Sequence, residues 1–206
     1  KISINYDEMQ RKVFFRHNGK AFSMDNILSL INQASSKDRN DGSERKSGKF
    51  GTGFITTHLL SEVVNISGLL EIGDEYSKFT ISLDRTGKEK NEIIAAMEKA
   101  VGDLGSCTPV DFLDFDEDEY NTVFEYELDE YGMKTARDGL ESLRVSAAYV
   151  LAMLPDIEEI TVENTGEKFR YKREVKCGLE NATVSEIEVE QQGMGIFTTH
   201  SFLFII

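Results

Sequence analysis

Three glycines fall within six positions in the run Ser47-Gly48-Lys49-Phe50-Gly51-Thr52-Gly53-Phe54, directly ahead of a helical pattern. Glycine lets a backbone approach a ligand closely, and the free N–H groups of a helix's first turn, with its dipole, seat phosphate oxygens. The chemistry on offer is therefore anion binding, with a purely structural turn as the alternative. Two other glycine motifs fit worse. A P-loop needs four residues between its glycines and then Lys-Ser/Thr, whereas five residues separate Gly42 from Gly48 and Phe50 follows Lys49. A dinucleotide fingerprint needs a strand immediately before the glycines, and a polar segment stands there instead.

A second turn, His17-Asn18-Gly19, ends a strand-like run upstream. Other reactive residue types gather less well. Asp114, Asp116, Glu117, Asp118 and Glu119 lack the alternating ligands and central glycine of a calcium loop and read as a solvated acidic segment. His17, His58 and His200 share no spacing suited to a metal or a catalytic triad. His58 reads either as a ligand-facing residue or as a packed one. Cys107 and Cys177 stand apart, as reduced structural thiols do.

The bulk numbers narrow the classes. A chain of 206 residues, 40% hydrophobic, with only two prolines, can bury one substantial core. Its formal charge of −14 repels polyanions and argues against a nucleic-acid module. One local exception is the stretch from Lys37 to Lys49, where five basic residues outnumber three acidic ones. The longest apolar stretch, Phe202–Ile206, is far short of a membrane span, so no membrane partner is expected and the cytoplasm is the default location.

Positioning falls to the following elements. Lys1–Tyr6 and Lys12–Phe15 alternate as a hairpin, and Ser23 offers an N-cap to a helix with Met24, Ile27, Leu28 and Ile31 on one face. Residues 35–49 lack periodicity and read as a long polar loop, of the kind associated with binding segments. A helix is expected from Gly53 to Asn65, then a hairpin of Leu69–Ile72 and Lys78–Leu83. A helix over Lys88–Leu104 carries Ile93, Ile94, Met97, Val101 and Leu104 on its apolar stripe. Thr122–Leu128 reads as a strand and Met133–Leu154 as a long helix stopped by Pro155. Strands follow at Ile157–Glu163, Lys168–Lys176, Thr183–Glu190 and Ile196–Ile206.

This order of a glycine turn after a strand, a helix, a polar loop and then Gly-x-Phe-Gly-x-Gly-Phe resembles the GHKL (Bergerat-fold) ATPase superfamily. Within it, the chaperone-type and sacsin-like members are most similar, and the resemblance runs from about Lys1 to Glu163. It implies an α/β fold: a two-layer sandwich whose mixed, mainly antiparallel sheet carries helices on one face. Gly19 would lie under an adenine, and Gly48, Lys49, Phe50, Gly51, Thr52, Gly53 and Phe54 would surround the phosphates. Ser36 and Lys37 match lid positions that approach the nucleotide, and Thr122 matches a threonine that binds the base through water. The aspartate that accepts from the adenine amino group is replaced by His17, with Asn18 beside it. Either side chain could offer an acceptor, and the bland reading of His17 is a histidine that ends a strand.

What the resemblance implies for function is an ATP- and Mg²⁺-dependent conformational switch, exchanging ATP and ADP. Its partners would be a protein or further domains of the same chain, with a homodimer among the options. The family's Glu-x-x-x-Asn helix precedes the first strand, so the chain is expected to be a piece of a longer protein. No catalytic residue is assigned within it, because the water-activating glutamate and the magnesium-holding asparagine would lie upstream. Residues 1–163 are expected to form the nucleotide-binding domain, and 164–206 a β-rich extension or the start of a second domain. The rival reading is a non-catalytic interaction domain on a degenerate Bergerat scaffold. A histidine-kinase catalytic domain is a third, lacking a recognisable phosphoacceptor region.

Overall fold

The computed structural model describes residues 1–32, 56–111, 118–164, 166–179 and 182–205. They form a two-layer α/β sandwich, with one 11-stranded sheet and three helices among the described residues. The strands are β1 (Ile2–Asp7), β2 (Lys12–His17), β3 (Phe22–Ser23), β4 (Val63–Ile72), β5 (Glu75–Asp84) and β6 (Thr108–Val110). They continue with β7 (Thr122–Glu127), β8 (Glu159–Asn164), β9 (Glu167–Leu179), β10 (Ala182–Gln191) and β11 (Gly195–Ile205). The spatial order is β11-β10-β9-β8-β1-β2-β7-β4-β5-β6, with β3 beside β4. Pairing is antiparallel except at β1–β8 and β3–β4.

Period-two alternation puts one apolar row after another on a single face. Ile4, Phe15, Phe124, Ile66 and Ile81 line up across β1, β2, β7, β4 and β5, and Tyr6, Val13, Tyr126, Val64 and Leu83 form the next row. Ile66, Val64, Ile81 and Leu83 are almost fully buried there. Each such side chain contributes roughly 1.5–3 kcal/mol. The helices α1 (Met24–Asn32), α2 (Lys90–Asp103) and α3 (Glu130–Met153) cover this face. The first two lie over β3, β4 and β5, and α3 over β8, β9 and β10. Phe169, Tyr171, Ile187 and Val189 bring β9 and β10 into the same core.

Helix ends are fixed locally. The Asn26 amide donates to Ser23 Oγ and the Ser23 amide to Asn26 Oδ1, both at 3.2 Å, which caps α1 reciprocally. The Asp129 carboxylate accepts from the Gly132 amide at 2.7 Å, so α3 begins at Glu130 rather than at Met133. At its far end, Arg173 donates to the carbonyls of Leu151 (3.0 Å), Leu154 (3.1 Å) and Pro155.

Two expectations are corrected. The helix anticipated through Asn65 is a 3₁₀ turn over Thr56–Leu59, after which Val63–Ile72 is a strand. The β-branched Val63, Val64 and Ile66 fit the pleated surface between β5 and β7 better than a helix. On α2, Ile94 and Val101 are exposed and Ala100 is buried, so the inward stripe is turned towards the small residue that lets the helix sit close to the sheet. No helix among the described residues is long and apolar enough to cross a membrane.

Candidate functional site

One further row on the covered face departs from the apolar pattern. Ile2 is registered against Ile160 on one side and His17 on the other, and His17 is registered against Thr122. His17 closes β2 and Thr122 opens β7, so two residues 105 positions apart become lateral neighbours at one end of the central strands. Gly68 completes the row. A Cβ there would lie 3.2 Å from the Phe79 ring and 3.4 Å from Thr122 Oγ1, so the absence of a side chain lets β4 close on the threonine. Thr122 is only 1% exposed, a polar residue inside an apolar layer.

His17 packs edge-on to Phe15 (centroids 6.1 Å apart) and tilted against Phe124 (6.0 Å). Burial holds its imidazole below the usual histidine range, so it is neutral near pH 7. Its Nδ1 accepts a hydrogen bond from the Gly19 amide at 3.1 Å, which leaves the ring proton on Nε2. A side chain at Gly19 would bring a Cβ to 3.0 Å from that same Nδ1. Asn18 Oδ1 accepts from the Lys1 backbone nitrogen at 2.5 Å, and the Asn18 amide donates to the Lys1 carbonyl at 3.3 Å. The acceptors expected of His17 and Asn18 are thus both engaged by the chain's own donors.

The row sits between the helices. The helices α1 and α2 stand over β3–β5 on one side of it and α3 over β8–β10 on the other. Of the remaining candidates, Ser36, Lys37, Gly48, Lys49, Phe50, Gly51, Thr52, Gly53 and Phe54 lie outside the described residues.

The chain re-enters at Thr56 with a tightly held turn. Thr57 hydrogen-bonds Tyr126, whose burial pushes its phenol up to about 12. His58 Nδ1 lies 3.2 Å from the Ser61 carbonyl, a packed arrangement in which burial lowers its pKa. Gly132 admits the Leu60 carbonyl oxygen to a position that any Cβ would occupy. Beside this turn, at the opposite end of β7 from Thr122, a cleft of about 490 Å³ is lined by residues that include His58, Glu62, Glu127, Asp129 and Tyr131. It is the competing location for a ligand.

Among the described residues no group of three His, Cys, Asp or Glu side chains is placed to hold a metal ion. Asp118, from the acidic segment, pairs with Lys1 Nζ at 2.5 Å; Asp114, Asp116 and Glu117 lie outside the described residues. Sequence reasoning missed Gly68, Phe79 and Gly132. A glycine inside the apolar run of β4 was the available signal for the first.

The architecture defines the class as a two-layer α/β sandwich with a polar break at one end of the central strands of its covered face. No protein-family model matches the chain, and no curated protein matches it. Among solved structures the chain is similar to the ATPase region of Saccharomyces cerevisiae topoisomerase II, at 12% identity and a TM-score of 0.38, over 91% of this chain and 52% of that one. The chain therefore spans about half the length of that structure, and a likeness this distant carries no argument about function.

Proposed function

We propose that the chain is a nucleotide-binding module of the GHKL type, acting as a conformational switch. The observation that supports this most is the meeting of His17, which leads into the Asn18–Gly19 turn, with Thr122 in the strip of sheet flanked by α1 and α2 on one side and α3 on the other. These are the residues that the resemblance assigns to the base, and they are polar where the neighbouring rows are apolar. In this reading Thr122 and the turn at Gly19 face the base, while the amides of Gly48–Phe54 and the cations of the Lys37–Lys49 stretch hold the phosphates. The resemblance implies ATP with Mg²⁺. Binding favours one conformation because only that conformation contacts the triphosphate fully.

A thermal-shift series with ATP, GTP and ADP, each with magnesium, tests the reading. A ligand at a hundred times its Kd should stabilise the chain by about 2.7 kcal/mol. Gly51→Val and Gly53→Val should abolish the shift while leaving the unliganded transition nearly unchanged, because a side chain there would fill phosphate space. The second reading, a non-catalytic interaction domain, is favoured by His17 in place of a carboxylate. It is the outcome if no nucleotide shifts the transition.

A further inference from the structure

The two ends of the sheet are built differently. At one end the outermost strand is β6, three residues long, with Pro109 at its centre and so one backbone N–H fewer to offer. At the other end, among the described residues, β11 is paired on one side only, with β10. It runs for 11 residues, and Thr198–Ile205 pairs with Ala182–Val189 without a bulge. Backbone N–H and C=O groups alternate in direction along a strand, so about half of this length presents them outward. Natural edges are blunted by shortness, proline, bulges or charged side chains. The β6 edge uses the first two, and β11 uses none of them along Thr198–Ile205.

Its composition points the same way. Although 29% of the chain is charged, β11 contains no Asp, Glu, Lys, Arg or Pro. Ile196 and Leu203 on it are exposed. Beside it, Val145, Tyr149 and Met153, spaced four apart on α3, are exposed as well, and Tyr149 meets the Phe202 ring edge-on at 5.3 Å. Apolar exposure thus extends from the helix to the outermost strand, as it does at surfaces that meet another protein.

Charge limits what can pair here. Two copies of a chain with a formal charge of −14 repel each other over most of their surface. Across a contact between two β11 strands, no register sets like charges opposite each other, because the strand carries none. Glu186 and Glu188 on β10 would lie three strand spacings, about 14 Å, from the second copy's β10, beyond the screening length of roughly 8 Å at physiological salt. Antiparallel pairing of a strand with its own copy has twofold symmetry and uses the edge up. With β6 short and proline-bearing at the far end, assembly stops at two chains.

We propose that β11 is a self-association edge, along which two copies of this chain pair antiparallel to form one continuous sheet. Nothing in this pairing depends on a nucleotide.

Analytical ultracentrifugation of the 206-residue chain over a concentration series, with amide hydrogen exchange at the lowest and highest concentrations, is the test. The expected result is a reversible monomer–dimer equilibrium with nothing larger, and slower exchange along β11 at high concentration. Thr199→Lys combined with Ser201→Lys charges the edge, yet sets each ammonium opposite Glu188 or Glu186 of β10 in the same sheet. The fold should therefore be kept while the dimer weakens at least about tenfold. Leu203→Lys, at an exposed position, should weaken it as well and covers the case in which the double variant does not fold. A monomer at every concentration overturns the inference. So does a dimer that survives both edge variants, or one whose added protection falls on α3 alone, which would assign the contact to the Val145–Met153 stripe. Open-ended growth overturns it too, by showing that the edge is not closed by one partner.

Discussion

Along β2 the side chains of Val13, Phe15 and His17 face the helices, while Lys12, Phe14 and Arg16 face the bare side of the same sheet. The bare side is a lattice of half-buried and exposed charges: Lys12 reaches Glu125 at 2.5 Å, Arg170 bridges Glu159 (2.6 Å) and Glu190 (3.3 Å), and Arg16 lies 4.6 Å over the Phe14 ring. On the covered side Thr122 is 1% exposed and His17 is half-buried, polar groups beside rows of Ile, Val, Leu, Phe and Tyr. The comparison locates function by cost: a buried polar group needs a reason, and a ligand is one.

Substitutions on the two faces should therefore behave differently, and the largest difference concerns the apolar rows. Ile66→Ala removes a fully buried side chain from the middle of the sheet and should cost about 2–5 kcal/mol in urea unfolding. A cost below about 1 kcal/mol would show that the covered face is not a close-packed core. A smaller effect should come from the half-buried His17. Its pKa lies below the unfolded value, so the unfolded chain binds more protons as pH falls below about 6.5, and stability is lost in that direction. The loss should be absent above that pH. His17→Asn should flatten part of the decline in midpoint between pH 7 and pH 5, and His58→Gln a further part, because burial lowers His58 in the same sense. An unchanged slope in both variants would place these rings in water. Smallest of all, Arg170→Ala on the bare face should change stability by less than about 1 kcal/mol, despite its two ion pairs. A larger loss would mean that the bare face is structurally committed.

Much of the architecture was legible because its signals are local. The alternation of Ile2, Ile4 and Tyr6 gave β1, Ser23 marked the start of α1, and Pro155 marked the end of α3. The first residues of β4, 63–65, read as the end of a helix from sequence alone, because Leu59, Leu60, Val63 and Val64 can also be laid on a helical face. Only the pairing of β4 with β5 and β7 decides between the two. The candidate site was legible one residue at a time. Its assembly was not, since the register that sets His17 against Thr122 is a long-range property of the sheet. The direction of the His17 hydrogen bond was likewise hidden, because the residue type allows either ring nitrogen to carry the proton.

The most direct measurement is amide hydrogen exchange on the 206-residue chain with and without magnesium and a saturating purine nucleoside triphosphate. Slowed exchange should appear at Asn18 and Gly19 and at the start of β7 around Thr122 and Val123. Slowing confined to residues 58–63 and 127–131, around the cleft at the opposite end of β7, would move the ligand away from His17 and contradict the account. Unchanged exchange throughout would remove the nucleotide from it.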